Sequence, residues 1–230
     1  MKLSIIIPTL DEGESIEKLV RYCFAHKNVH DIEVIVADAG SKDDTVPKAL
    51  SAGAIIIQCP EKGRSAQMNF SAQFANGDVL YFVHADSFPP TSFAIDISKA
   101  INNGYALGRY RTKFDTSSLL LKLNAFFTRF DLFMCYGGDQ TLFIQKKLFD
   151  CIEGFDQKML ILEEYDLVER ARQKGKYKIF PGKALISTRK YKMNSWLRVQ
   201  KANYKVFQMY KKGVPQADIV ATYKNMLDYR

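Results

Sequence analysis

Three short apolar runs that each break off at a carboxylate constrain this chain more than anything else in it. They are Ile5-Ile-Ile-Pro-Thr-Leu-Asp-Glu12, Val34-Ile-Val-Ala-Asp38 and Val79-Leu-Tyr-Phe-Val-His-Ala-Asp86. Runs this short and rich in β-branched and aromatic residues read as strands buried on both faces of a sheet. Pro8 is expected to turn the first run sharply, and Ser87-Phe-Pro-Pro to forbid pairing beyond Asp86. In open α/β sheets, ligands bind at the carboxyl ends of strands, where these acids fall. Each acid taken singly also fits a plainer role. Asp11 and Glu12 suit a helix dipole, Gly40, Ser41 and Asp43 a turn with an N-cap, and Asp86 the cap of the next helix.

Helical periodicity between the runs completes βαβ units. Strands are predicted over 2–7, 31–37, 54–58 and 79–83, with helices over 14–26, 44–52 and 65–75. Right-handed crossovers then give a mostly parallel, doubly wound sheet. Beyond it the pattern predicts a helix over 92–103, strands over 105–114, 141–144, 177–180 and 184–188, and an aromatic helix over 119–134. A helix over 163–174 and two C-terminal helices over 194–212 and 215–227 follow. The expectation is one domain: a first half to about residue 90, a second half to about 190, and a helical extension.

Composition narrows the function. A net charge of +8 favours anionic ligands such as nucleotides, phosphorylated lipids or an anionic membrane face. No helix-turn-helix, zinc-finger or RNP-like pattern supports nucleic acid. Cys23, Cys59, Cys135 and Cys151 form no C-x-x-C pair, so neither a zinc site nor a disulfide framework is expected. No apolar run reaches the ~20 residues of a spanning helix. The apolar part of the N-terminus is too short for a signal peptide, so a cytoplasmic protein is expected.

There is no G-x-G-x-x-G after the first strand and no G-x-x-x-x-G-K-[ST], which argues against a dinucleotide dehydrogenase and a P-loop NTPase. A nucleotide site without a glycine cradle must neutralise phosphate with a metal and basic side chains; Asp86, Lys62 and Arg64 are suited to that. The ordered set IIIPTLDE, ADAGSKDDT, KGRSAQMNFSAQFANGDVLYFVHAD, GGDQTLFIQKKLFDCIEGFD and LEEYDLVERARQKGK resembles the family-two inverting glycosyltransferases with the GT-A fold. Within them the chain is similar to the small rSAM/selenodomain-associated subgroup, some members of which are linked to arsenosugar synthesis. The likeness runs into the tail, RKYKMNSWLRV and YKKGVP.

That resemblance implies a UDP- or GDP-linked sugar donor. Pro8, Thr9, Leu10 and Glu12 would line its nucleoside pocket, with Asp38 on the base. Gly63, Arg64 and Asn69 would lie near the diphosphate and sugar. Ala85 would adjoin the donor, and Asp86 would hold Mn²⁺ or Mg²⁺. His84 stands where the family usually has the first acid of an Asp-x-Asp; an imidazole ligand suits Mn²⁺ better than Mg²⁺. The base would be the second acid of a Glu-Asp pair, here Glu164, with Glu163 and Asp166 in contention. Arg189 and Lys190 would close over the leaving group, and Gly138, Asp139 and Gln140 would face the acceptor.

Two other functions remain open at this level: a nucleotidyltransferase, and a nucleotide-sugar-binding protein without catalysis. The first normally needs a glycine- and basic-rich loop where this chain has Pro8-Thr-Leu-Asp-Glu12. The phenylalanines at 126, 127, 130 and 133 read first as a core helix, with an apolar acceptor surface as the alternative. The C-terminal helices mix Trp196, Leu197 and Tyr204 with lysines; they suit an anionic membrane, the domain's own surface or a second subunit.

Overall fold

The computed structural model describes residues 1–28, 31–133 and 141–228. Its first half follows the expected alternation: β1 (Lys2–Thr9), α1 (Ile16–Ala25), β2 (Asp31–Asp38), α2 (Thr45–Ser51), β3 (Ile55–Gln58), α3 (Arg64–Ala72) and β4 (Val79–Phe82). There follow β5 (Ser87–Phe88), α4 (Phe93–Asn102), β6 (Tyr105–Phe114), α5 (Leu119–Phe127), β7 (Leu142–Gln145) and α6 (Lys146–Cys151). The chain ends with α7 (Glu163–Arg172), β8 (Lys176–Ile186), α8 (Arg189–Met193), α9 (Trp196–Lys211) and α10 (Gln216–Met226). The described strands form one eight-stranded sheet in the order β3-β2-β1-β4-β7-β6-β8-β5.

Strands β1 to β4 are mutually parallel, and β7 runs against both β4 and β6. Two reversals restore the direction, so β6 and its parallel neighbour β8 end on the same edge as β1, β2 and β4. Helices cover both faces. Leu3, Ile5, Ile7, Val34 and Val36 pack with α1 and α4 on one side. Ile6, Ile35, Ala37, Leu80 and Phe82 pack with α3, α6 and α7 on the other. Two-sided burial explains why these runs are continuously apolar rather than alternating.

Four expectations are corrected. Pro8 does not turn β1, which pairs with β2 as far as Thr9 and Asp38. The Ile6 carbonyl faces β4, so Pro8 directs its missing N–H to that side, beyond the last β1–β4 pair at Ile6 and Phe82. Ser87 and Phe88 do pair, with Ile186 and Leu185, before Pro89 and Pro90 intervene. The strands expected over 177–180 and 184–188 are one, β8, carried past Pro181-Gly182 by a register shift opposite Tyr110 and Arg111. Helix α5 stops at Phe127 rather than running to 134. Buried Arg109 donates to the Thr128 and Phe130 carbonyls at 2.7 and 3.2 Å, acceptors that a continuing helix would need.

The C-terminal helices α9 and α10 form their own small core around Val199, Ala202, Val206, Ile219 and Tyr223. No described helix is long and apolar enough to cross a membrane.

The centre of β6 tolerates no side chain at Gly108. A Cβ there would stand 2.3 Å from the Lys178 carbonyl oxygen and 2.7 Å from the Phe143 ring. Gly108→Ala is therefore expected to cost about 1–3 kcal/mol in urea unfolding. A loss below about 0.5 kcal/mol would mean that β6, β7 and β8 are less tightly packed than described.

Candidate active site

The carboxyl edge of β1, β2 and β4 is built by cross-linked loops. Asp38 ends β2 fully buried. Its Oδ2 accepts the Gly40 and Ser41 N–H groups at 2.9 and 3.0 Å, and its Oδ1 accepts the Thr9 hydroxyl at 3.2 Å and the Ser41 hydroxyl. These four bonds occupy the carboxylate's usual acceptor positions. Asp38 thus ties the β2–α2 loop to β1.

The β1–α1 loop is held to the same neighbour. Asp11, at φ 56°, accepts the Lys42 N–H at 2.7 Å and donates its own N–H to Ser41 Oγ at 2.9 Å. Glu12 and Gly13 donate their N–H groups to Thr45 and Asp43. Leu10 is left exposed at the tip, while Thr9 is buried beneath it. Gln67, buried on α3, donates its amide to the Thr9 and Ala37 carbonyls at 2.9 and 2.7 Å. In the sequence Gln67 carries only a weak signal, a polar residue on the same inward helix face as Met68 and Ser71.

Asn69 proves to be a clamp. Its amide donates to the Phe155 carbonyl at 2.7 Å and accepts the Phe155 N–H at 2.9 Å, which fixes the segment leading toward α7. Gly63, at φ 130°, opens α3 with free space where a Cβ would stand. Arg64 follows it, exposed, with its guanidinium 3.9 Å from Glu163.

The acids meet here. Glu163 and Glu164 open α7 and are 4% and 5% exposed, an unusual depth for adjacent carboxyls. Glu164 Oε1 lies 3.1 Å from His84 Nε2, which occupies that ring nitrogen. Burial first, and the Glu164 carboxylate second, push the Glu163 pKa up to about 7; Arg64 and His84 oppose the rise. Asp86 is half-buried in the turn after β4, next to buried Ala85, and the Ser87 N–H returns to the His84 carbonyl at 3.0 Å. Across from it, Arg189 at the start of α8 donates to Glu12 at 3.2 Å. Burial works against the Arg189 charge, yet Glu12, with smaller help from Asp86, holds its pKa above the ordinary value. Asp166 is turned away from this group, paired with Arg170 at 2.6 Å. Gly138, Asp139 and Gln140 lie outside the described residues.

Among the described residues no three His, Cys, Asp or Glu side chains converge on one point. Asp86 is an accessible carboxylate beside Arg189, which Glu12 pairs with. That set fits a divalent cation completed by phosphate oxygens, the usual arrangement for Mg²⁺ at a nucleotide, and not an all-protein cage.

A mostly parallel sheet covered by helices on both faces, with Asp86 and a buried acid pair at its carboxyl edge, is an α/β arrangement of the GT-A type. Residues 4–156 match the model of the family described as glycosyl transferase family 2, and the chain belongs to that family. It is 32% identical over 109 residues to a dolichol-phosphate mannosyltransferase of Pyrococcus furiosus, a match spanning 45% of this chain and 31% of that protein. Among solved structures, glucosyl-3-phosphoglycerate synthase of Mycobacterium tuberculosis, in complex with Mn²⁺, UDP and glucosyl-3-phosphoglycerate, superposes with a TM-score of 0.64. The identity is 17%, over 93% of this chain and 81% of that one. TarS residues 1–349 of S. aureus with UDP-GlcNAc gives a TM-score of 0.66 at 17% identity, over 82% and 59% of the two chains. At such identities the likeness is one of fold.

The buried acid pair makes a pH prediction. Glu163 holds its proton in the folded state up to about pH 7, whereas the unfolded chain releases it near the ordinary value of 4.5. The folded state binds more protons across that window, so this group lowers stability as pH rises through it. Glu163→Gln should melt with the parent at pH 4 and above it by a growing margin toward pH 7.5. A margin that does not change with pH would contradict the shift.

Proposed function

We propose that the protein is an inverting, metal-dependent glycosyltransferase that moves a sugar from a nucleotide-diphosphate donor to an acceptor hydroxyl. The single observation that carries this is the buried Glu163–Glu164 pair lying on His84, two residues before Asp86 at the carboxyl edge. Within family 2, the GRSAQMN and His84-Ala85-Asp86 segments support kinship with the rSAM/selenodomain-associated subgroup. Structural neighbours complexed with UDP and Mn²⁺ or Mg²⁺, and with UDP-GlcNAc, support a uridine-linked donor.

In this reading the nucleoside lies over the stitched loops, between Pro8-Thr9-Leu10 and the turn that Asp38 orders. Ordering that turn costs nothing at binding, because its bonds are already made. Arg64 and Arg189 face the diphosphate, and Gly63 lets the donor approach the backbone at the opening of α3. Asp86, with His84 Nδ1 as a second candidate, would hold Mn²⁺ or Mg²⁺. When bound, that ion supplies positive charge against the departing diphosphate.

Glu164 takes the proton of the acceptor hydroxyl as it attacks the anomeric carbon from the face opposite the leaving group. His84 fixes the carboxylate it touches, leaving the second oxygen for the acceptor. Burial and the neighbouring Glu164 carboxylate hold the proton on Glu163 toward neutral pH. Attack on one face in a single displacement inverts the anomeric configuration.

Glu164→Gln keeps size and removes basicity. Sugar transfer from a UDP-sugar should fall by about 10²–10⁴-fold, the span typical of general-base catalysis, with donor affinity nearly unchanged. Glu163→Gln is the matched comparison, and a larger loss there would move the role to Glu163. Less than about tenfold loss in both variants would refute a displacement driven by this pair.

A further inference from the structure

Helix α5 turns its large apolar side chains outward. Leu119, Leu120, Leu123, Phe126 and Phe127 are between 44% and 79% exposed, and Leu121 is the one buried residue of the helix. Phe130, 41% exposed, joins Phe126 and Phe127 in a cluster of ring contacts at 5.7–6.1 Å. Contiguous exposed apolar surface of this kind marks an interaction site.

The helix is held rigidly from beneath by polar bonds. Besides the Arg109 clamp, Thr112 donates its N–H to Thr128 Oγ1 at 3.0 Å, and Trp196 donates to Asn124 at 3.3 Å. The apolar arc is therefore presented by a fixed support. Strand β6 ends on the same edge as β4, so α5 begins at the edge that carries Asp86.

Its fringe is cationic. Lys122 and Arg129 are exposed on the helix and the turn after it, with the Arg129 guanidinium 3.8 Å over the Phe126 ring. Lys192 and Lys201 lie exposed on the adjoining α8 and α9. Among the described residues none of Lys122, Lys192 and Lys201 forms an ion pair, while Asp131 is taken by Arg172 and Asp228 by Arg198. Asp115 is the exposed acid just before the helix.

We infer that α5 seats this protein on an anionic lipid surface, with its leucines and phenylalanines in the acyl boundary and its basic fringe among the headgroups. A short apolar helix with a cationic border matches such an interface in both of its components. A second copy of the chain matches it less well. A two-fold contact through α5 would set Lys122 and Arg129 near their own counterparts, in a molecule that already carries +8. The inference stands independently of the proposed transfer reaction.

The test is co-sedimentation of the whole protein with vesicles of phosphatidylcholine alone or with about one third phosphatidylglycerol. The parent should bind the anionic vesicles, weakly the neutral ones, and release as salt rises. Phe126→Glu with Phe127→Glu should reduce binding by at least about tenfold, and Phe74→Glu, an equally exposed phenylalanine on another part of the surface, should not. Lys122→Glu with Arg129→Glu keeps the apolar side chains and should also weaken binding, which preserves the test if the first pair misfolds. Failure of the parent to bind anionic vesicles would overturn the inference. So would undiminished binding by both paired variants, or a dimer seen by light scattering that the Phe126/Phe127 pair dissolves while vesicle binding persists.

Discussion

Burial of β1, β2 and β4 on both faces is the constraint from which the rest of the structure follows. The chain places Thr9, Asp38, His84 and Asp86 at the carboxyl edge, while Ser4 and Glu33 on β1 and β2 bond to each other at 2.6 Å away from it. The edge must then satisfy its own backbone, because the last carbonyls of buried strands are costly if left unmade. Gln67 and Asp38 do this between them, one capping the Thr9 and Ala37 carbonyls and the other gathering the donors of the next loop. The result is a platform whose loops are ordered by internal bonds before any ligand arrives.

On that platform charge is arranged in pairs of unequal depth. Glu163 and Glu164 are buried together, and Arg64 and His84 each touch one of them. Asp86 and Glu12 are shallower and share the field of Arg189. Burial and the adjacent carboxylate raise the proton affinity of Glu163, which suits the deep pair to proton movement. The shallow group suits a charged ligand that comes and goes.

Much of the parallel half was legible because its signals are local. Apolar runs and helical spacing give β1 to β4 and their helices to within about three residues at each end, and β6 over 105–114. Asp86 and the acid pair were legible as candidates because strand ends and helix starts are readable. The bonds that Asp38 and Asn69 make within the chain were not, since the turn after β2 and the Phe155 backbone are partners that no local pattern announces. Helix α5 misled for a related reason. Its phenylalanines have the composition of a core helix, and only tertiary contacts show that Arg109 holds the helix from below while the rings face out. The antiparallel β7 and the β5–β8 pair depend on long-range register, which no local pattern carries.

The central claim is that this edge binds a nucleoside diphosphate through a cation shared with Asp86. Electron paramagnetic resonance of Mn²⁺ titrated into the protein, with and without UDP, tests it most directly. Because no three ligand side chains converge among the described residues, the protein alone should hold Mn²⁺ weakly, and UDP should tighten binding by at least about tenfold, an enhancement lost in Asp86→Asn. Equal Mn²⁺ binding with and without UDP, or the same enhancement in Asp86→Asn, would contradict the account.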